Sequence, residues 1–585
     1  MRLRRAIVLV AAWLGGILWA GTCIAQQHLP ETASGRAHKT LVTSRHFMAA
    51  TANPLATQAA YRILRAGGTA ADATIAAQLV LGLVEPQSSG LGGGAFLLYH
   101  DARGGRLTVL DGRETAPAAA RPDRFIGADG KPLRFYEAVV GGRSVGVPGA
   151  MRLLGALHAR HGRLGWSKLF EPAIELAERG FPISPRLASA IAAETHFRQP
   201  RIRSYFLDAD GAPKRAGTLL RNPAYAATLR AIARSGPDVY YGGAIAADVV
   251  ATANDPVYGR GDMTLEDLAR YRAIEREPVC DRYRGYKVCG PPPPSSGGIA
   301  VLELLKLLEP YDLASMGAAT FWSVHFISEA GRLAYADRDY VADPAFAPLP
   351  GDLLDDDYLR ERSRAISALH SMGTARPGVP PRRAGTAAQR AAWVDGAAAE
   401  FPSTSHICIV DRYGNAVSMT TSIEDAFGSR LMTRGGFLLN NELTDFAFVP
   451  DRNGVPVANR VQGGKRPRSA MSPTIVYDRS GRLWMIVGSP GGPAIINYVV
   501  KTLIGVIDWK LDAQAAVDLP NFGSRNGPTE LEADTSVVAL EPRLQALGHR
   551  TRVTDHPSGV QVILRTRSGY QGGADPRREG VVLGD

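Results

Sequence analysis

Residues 404–446 read TSHICIVDRYGNAVSMTTSIEDAFGSRLMTRGGFLLNNELTDF, and the interpretation of the whole chain turns on them. The stretch opens with a threonine at the head of an apolar, β-branched run, and strand-like segments are predicted at 406–410 and 415–421. A threonine hydroxyl is a weak nucleophile unless a base lies beside it. The nearest base open to Thr404 is its own α-amine, which exists only if the chain is cut after Ser403. Before the cut, the same hydroxyl can attack the Ser403 carbonyl through a five-membered ring, giving an N-to-O acyl shift and then hydrolysis. One residue would then serve both steps, and the uncut chain would be inactive. Alone, the Thr-Ser-His triplet decides nothing, because most threonines that open strands are there for β-propensity.

Further motifs extend outward from this stretch. Downstream lie GFLLNNELTDF (436–446), GGKRPRSAMSPT (463–474) and GSPGG (488–492). Upstream lie EPQSSGLGGGAF (85–96), DGRETAPAAA (111–120), VPGA (147–150) and PPPPSSGG (291–298). In this order, from about residue 40 to about residue 575, the chain resembles the γ-glutamyltransferases. The resemblance implies an α+β fold, a four-layer αββα sandwich of the N-terminal nucleophile hydrolase type. It implies a precursor that matures into a large subunit of residues 26–403 and a small one of 404–585, which stay together as a heterodimer. Glutathione is the implied γ-glutamyl donor, with water, an amino acid or a dipeptide as acceptor. No metal or organic cofactor is implied.

The chemistry of cleaving a γ-glutamyl amide gives each motif a task. Thr404 is the candidate nucleophile, and Ser403–Thr404 the candidate cleavage site. Ser422 stands where the family has a threonine that positions the nucleophile, and it is a candidate substrate-binding residue as well. Gly491 and Gly492 follow an apolar strand, and consecutive backbone N–H groups without Cβ atoms suit an oxyanion hole. Arg113 occupies the family position that grips the substrate α-carboxylate, which a planar guanidinium can pair bidentately. Ser469 matches the first of two family serines at that carboxylate. The second is Ala470 here, a departure that removes one hydroxyl contact. Glu424, Glu442 and Asp445 align with positions that hold the α-ammonium, and three converging carboxylates would repel unless a cation sits between them. Between Asp445 and Ser469 some family members carry a lid; this segment assigns none.

Composition narrows the alternatives. The chain has 585 residues, 45% of them apolar and 21% charged, an ordinary globular balance. Its net charge of +11 includes Arg2, Arg4 and Arg5 at the extreme amino terminus. Basic residues elsewhere are spread along the chain without aromatic interleaving, so no nucleic-acid partner is expected. Residues 1–25 read as a secretory signal, with a basic start, an apolar run from Ala6 to Ala20 and small residues near Ala25. The mature protein is therefore expected to be secreted or periplasmic, with no membrane span.

In VCDRYRGYKVCG, a two-residue turn at Arg284–Gly285 sets Cys280 opposite Cys289 within disulfide range; the alternative is two buried thiols. Helices are predicted at 54–66, 70–83, 149–160, 168–179, 299–309 and 322–337. Strands are predicted at 95–99, 106–110, 436–439, 473–477 and 484–487. Residues 371–403 read as a loose linker before the cleavage site. His325 and Glu329 share a helix face, with no third metal ligand apparent in the sequence, and read as a surface pair. Two competing readings stay open: an acylase of the same superfamily acting on glutaryl or cephalosporin-type compounds, and a secreted binding protein that keeps the fold without catalysis.

Overall fold

The computed structural model describes residues 35–381 and 403–585. The expected signal segment and residues 382–402 of the expected linker lie outside these described residues.

Two seven-stranded antiparallel sheets form the centre. Their strands, in chain order, are β1 (Val42–Ser44), β2 (Met48–Thr51), β3 (Gly94–Asp101), β4 (Arg106–Asp111), β5 (Ile274–Arg276), β6 (Val279–Tyr283) and β7 (Tyr286–Gly290). They continue with β8 (Ser403–Val410), β9 (Ala416–Glu424), β10 (Thr474–Tyr477), β11 (Leu483–Gly488), β12 (Gln561–Arg565), β13 (Tyr570–Ala574) and β14 (Val581–Gly584). One sheet runs β14-β2-β8-β9-β3-β4-β5 and the other β1-β13-β12-β11-β10-β7-β6. Both draw strands from either side of Ser403–Thr404, so neither sheet is complete without both halves of the chain.

Alternation along β8 shows how the layers arise. Ile407 and Ile409 join the core shared with helices α1 (Pro54–Arg65) and α2 (Ala70–Val84). Cys408 and Val410 point the other way, into an apolar seam between the sheets with Leu98, Ile475, Ile486 and Ile563. The second sheet is covered in turn by α4 (Gly297–Leu308), α5 (Phe321–Asp337) and α6 (Ile495–Ile507), with α3 (Pro185–Ala193) on the side of the first. The architecture is an αββα sandwich. Helix α2 is buried nearly all round, as a helix packed between a sheet and other helices must be. Its start is fixed by a capping box in which the Thr69 side chain accepts from the Asp72 N–H and the Asp72 carboxylate accepts from the Thr69 N–H.

Several sequence expectations need correcting. The strand predicted at 436–439 reduces to two single bridges, Met432 with Leu438 and Gly92 with Leu439, because this segment wraps around the glycine loop instead of pairing along a strand. Residues 371–381, the start of the expected linker, are tied down. The Ser371 N–H donates to the Leu547 carbonyl at 2.7 Å, Ala375 and Asn526 exchange two hydrogen bonds, and the Gly378 N–H donates to Asp337 at 2.6 Å. His325 and Glu329 are buried rather than at the surface, and a third group, His549, arrives from 220 residues further along the chain. The His325 and His549 rings are hydrogen-bonded at 2.7 Å, while Glu329 accepts from Arg332, Ser371 and the Met372 N–H. This network fastens the end of the upstream half to the downstream half.

Cys280 and Cys289 pair across the β6–β7 hairpin with Cα atoms 4.1 Å apart and are joined by a disulfide. Between Asp445 and Ser469 the chain forms a two-stranded hairpin of Asp451–Arg452 and Val455–Pro456. No helix among the described residues is long and apolar enough to cross a membrane.

Candidate active site

The Ser403–Thr404 bond lies at an irregularity in the sheet. Ser403 pairs with Glu424 and Thr404 with Ser422, so Ile423 is skipped and a β-bulge falls at the candidate cleavage site. Bulges bend a strand and re-aim a side chain. Glu424, at the far side of the bulge, adopts φ = 78°, a conformation unusual for a residue with a Cβ. The Ser422 hydroxyl donates to the Ser403 carbonyl at 2.8 Å and accepts from the Glu424 N–H at 2.8 Å. The Ser403 hydroxyl donates to the Gln87 carbonyl at 2.6 Å, so the loop at 85–94 grips the same bond from the other side. That loop must come close. A Cβ at Gly93 would fall 2.1 Å from the Ser422 carbonyl oxygen, which excludes any side chain there.

His406, the third member of the triplet, is not beside the Thr404 hydroxyl. It points between the sheets onto the Thr420 hydroxyl at 2.9 Å, and burial pushes its ring down to about 3. It stays neutral.

One pocket is lined by Arg113, Thr404, Ser422, Glu424, Glu442, Asp445, Ser469, Ala470, Met471, Gly492 and Ile495. It gathers every candidate catalytic and substrate-binding residue that the sequence offers except Gly491, which stands one residue behind in the turn. Gly491 has φ = 135°, and a Cβ on it would lie 2.6 Å from the Tyr498 ring. The turn leads through Gly492–Ala494 into α6, whose amino-terminal end is thereby aimed at the pocket. Backbone N–H groups and a helix amino terminus at this point suit a developing negative charge.

At the other end of the pocket Arg113 is buried and held in place by backbone. Its Nε and Nη2 donate to the Pro467 and Arg468 carbonyls at 3.3 and 2.8 Å, and its own carbonyl accepts from the Tyr271 hydroxyl at 2.7 Å. Its guanidinium also pairs with Glu442 and Asp445. The cation that keeps these carboxylates together is therefore Arg113 itself. Burial alone would push the guanidinium down, but Glu442 and Asp445 outweigh it and hold it charged. Glu424 is held by the Asn441 amide and sits well above the usual carboxylate range, through burial first and then the like charges of Asp445, Asp425 and Glu442. Glu442 is also raised by burial, with Arg113 opposing.

Ser469 and Ala470 are placed by the PPPPSSGG loop. The Ser296 N–H and hydroxyl both donate to the Ser469 carbonyl, at 2.8 and 2.6 Å, and the Ser295 hydroxyl donates to the Met471 carbonyl at 2.6 Å. Sequence reasoning missed these supports, and it missed Asn441 and Arg578 as well. Arg578 donates to the Thr404 carbonyl at 3.2 Å. Asn441 lies inside a quoted motif, so its neighbourhood was signalled. The DPRREG segment that carries Arg578 has no periodicity or spacing to mark it.

This arrangement brings together a threonine hydroxyl, a glycine turn before a helix, and a mixed-charge end suited to a zwitterionic group. A family model described as Gamma-glutamyltranspeptidase matches residues 56–585. The chain is 36% identical over 546 residues to a glutathione hydrolase proenzyme of Bacillus subtilis (strain 168), covering 92% of this chain and 91% of that relative. It is 34% identical over 534 residues to an Acylase ACY 1 proenzyme of Pseudomonas sp. (strain V22), covering 89% and 90%. Among solved structures, a cephalosporin acylase from Bacillus halodurans superposes with a TM-score of 0.82 at 29% identity, covering 95% and 99% of the two chains. The chain belongs to the gamma-glutamyltranspeptidase family.

Proposed function

We propose that this protein is an exported, self-processing γ-glutamyltransferase and glutathione hydrolase with Thr404 as its nucleophile. The observation that carries the reading is the Ser422 hydroxyl on the Ser403 carbonyl at the bulged bond. There it polarises the carbonyl that the Thr404 hydroxyl attacks. The Thr404 Oγ–C bond forms, the Ser403–Thr404 C–N bond breaks, and the hydroxyl proton passes to the departing nitrogen, which keeps its own hydrogen and becomes the α-amine. Water then hydrolyses the ester and releases Ser403 as a carboxylate.

In the mature enzyme the amine takes the hydroxyl proton as Thr404 attacks the γ-carbonyl of the donor. Gly491 and Gly492 offer N–H groups to the oxyanion. Arg113 and Ser469 receive the α-carboxylate, and Glu424, Glu442 and Asp445 the α-ammonium. The leaving amine departs with a proton, and water or an amino-acid or dipeptide amine resolves the acyl-enzyme. The large and small subunits remain joined through the shared sheets.

A second reading, an amidase for glutaryl or cephalosporin-type acyl groups, draws support from the acylase relatives, which cover nearly the whole chain. The carboxylates Glu424, Glu442 and Asp445 in the same pocket favour a substrate ammonium and hence the glutamyl reading.

Chain masses under denaturing conditions, for the native sequence and Thr404→Ala, test the nucleophile. The expected result is two chains, one beginning at Thr404, and a single uncut chain in the variant. Uncut chain in both would put the binding-protein reading ahead. Turnover of a γ-glutamyl anilide against a glutaryl anilide then separates the two enzymatic readings.

A further inference from the structure

The pocket accounts for one side of Thr404; a buried group of charges holds the other. Arg578 Nη1 donates to the Thr404 carbonyl at 3.2 Å and its Nε to the Pro557 carbonyl at 3.1 Å. The next side chain, Ser405, donates to Glu85 at 3.0 Å, and the other Glu85 oxygen accepts from Arg186 Nη1 at 3.0 Å. Arg186 also reaches the Ser88 hydroxyl at 3.1 Å, and its N–H donates to Glu579 at 2.8 Å. Arg578, Arg186 and Glu85 are each no more than 2% exposed.

Satisfying one strand carbonyl needs only a neutral donor. Burying the Arg578 guanidinium to do it, with Arg186 buried nearby on Glu85, carries a desolvation penalty that a neutral amide would avoid. What the arginines add is positive charge directly behind the residue whose amine must accept a proton. An ordinary α-amine titrates at about 7.7–8.0, so near neutral pH it is largely protonated and cannot act as a base. A neighbouring cation disfavours the ammonium form. We infer that Arg578 is a positioning residue whose charge, backed by Arg186, keeps the α-amine of mature Thr404 neutral and able to take the hydroxyl proton. This rests on the assignment of Thr404 as nucleophile.

The other charges around Thr404 are of both signs, and Asp575 stands against Arg578. Behind it stand Glu85 at the end of α2, Arg186 on α3, and Arg578 and Glu579 before β14. Across the pocket stand Glu424, Glu442, Asp445 and Arg113. Burial pushes Glu85 up to about 8, with Arg578 opposing; burial also lowers Arg578, with Glu85, Asp575 and Glu579 opposing, and Arg186, where Arg578 adds to the fall and Glu579 opposes it.

The test is the pH profile of kcat/KM with a γ-glutamyl anilide for the mature two-chain protein. Removing a cation raises the proton affinity of the amine, so in Arg578→Gln the acidic limb should move to higher pH by about one unit. Arg578→Lys, which keeps the charge, should leave the limb in place even where the rate falls. Arg186→Gln, one side chain further away, should move it in the same direction by less, and it decides the matter if Arg578→Gln stays uncut. A limb unmoved, or moved to lower pH, in both glutamine variants would overturn the inference and leave the arginines as packing. If Thr404→Ala itself keeps turning over substrate, the nucleophile assignment has failed instead.

Discussion

At the far end of the pocket Arg113, Glu424, Glu442 and Asp445 crowd formal charges against one another, whereas around the Ser403–Thr404 bond the direct contacts are hydroxyls and backbone groups. There the charges stand one layer back, at Arg578, Arg186 and Glu85. The two ends solve different problems. Selecting a zwitterionic group calls for fixed opposite charges, each worth most when desolvated. Making and breaking bonds at a carbonyl calls for short, directed hydrogen bonds to the reacting groups, with charge behind them to set the proton affinity of the amine. If this division is right, damage at one end should spare the function of the other.

The largest expected effect is at Arg113. Truncating one partner of a buried, hydrogen-bonded charge pair costs binding about 2–5 kcal/mol, so Arg113→Ala should lower kcat/KM for a γ-glutamyl anilide by roughly 10²–10³-fold. Arg113→Lys should recover little, because an ammonium cannot form the two-pronged contact. Steady-state kinetics measure the loss, and chain masses show whether cutting at Thr404 still occurs, as the comparison demands. An Arg113→Ala chain that folds but stays uncut would break the division between the two ends.

Next in size is Ser422→Ala, the converse case. Removing one donor from a carbonyl under attack typically costs about 10²–10³ in rate. The half-time for conversion of precursor to two chains should lengthen by about 10²-fold, and Ser422→Thr should restore it. Binding of a γ-glutamyl ligand to whatever fraction matures should change little.

How much of this could be read from the chain itself differs between the same two ends. Local signals sufficed for α2, whose apolar run and Thr69 cap mark its length, and for the β6–β7 hairpin, whose turn residues set Cys280 against Cys289. The pocket residues lie inside quoted motifs, and nearly all of them converge. What was not legible depends on distance along the chain. Arg578 comes from 174 residues downstream to the Thr404 carbonyl, and His549 from over 200 to the His325 ring. Neither position has a periodicity or a turn chemistry that could announce it. The segment at 436–439 misled for a related reason. Its apolar run has strand character, but its partners are the glycine loop and a single neighbour, and the tertiary context decided.

A smaller effect probes the charged end through pH. Glu424 and Glu442 are held above the ordinary carboxylate value of 4.5, chiefly by burial. Groups raised in this way favour the folded state most at low pH, where they are neutral. That contribution is lost as pH climbs through the unfolded-state value toward the raised folded-state one. A bound ammonium relieves the resulting repulsion. The rise in Tm given by L-glutamate should therefore exceed that given by glutarate, and by more at pH 8 than at pH 5. At about 100 times its Kd L-glutamate adds about 2.7 kcal/mol, a shift of about 2–3 °C in a thermal melt of a chain this long, and glutarate at the same concentration should give less. Equal shifts for the two ligands at both pH values would remove the ammonium site from the comparison.

The smallest effect belongs to Ala470, the one place where the charged end departs from its family pattern. Ala470 lines the pocket beside Ser469, its carbonyl is fixed by the Ser472 hydroxyl at 2.9 Å, and its side chain is 5% exposed. Ala470→Ser adds one oxygen at the wall without moving the backbone, and a hydroxyl there can donate to the substrate α-carboxylate beside Ser469. One such hydrogen bond is worth about 1 kcal/mol net, or about fivefold. KM for the γ-glutamyl anilide should fall by about that factor with kcat nearly constant, because a contact to the non-reacting carboxylate is made equally in ground and transition states. A 4-aminobutyryl anilide, which keeps the ammonium but has no α-carboxylate, tests the same wall, and its KM should not improve. A fall in KM for both substrates would mean that the serine merely tightens the pocket. A fall for the glutamyl substrate alone would show that Ala470 tunes selectivity at the charged end while leaving the reacting end untouched.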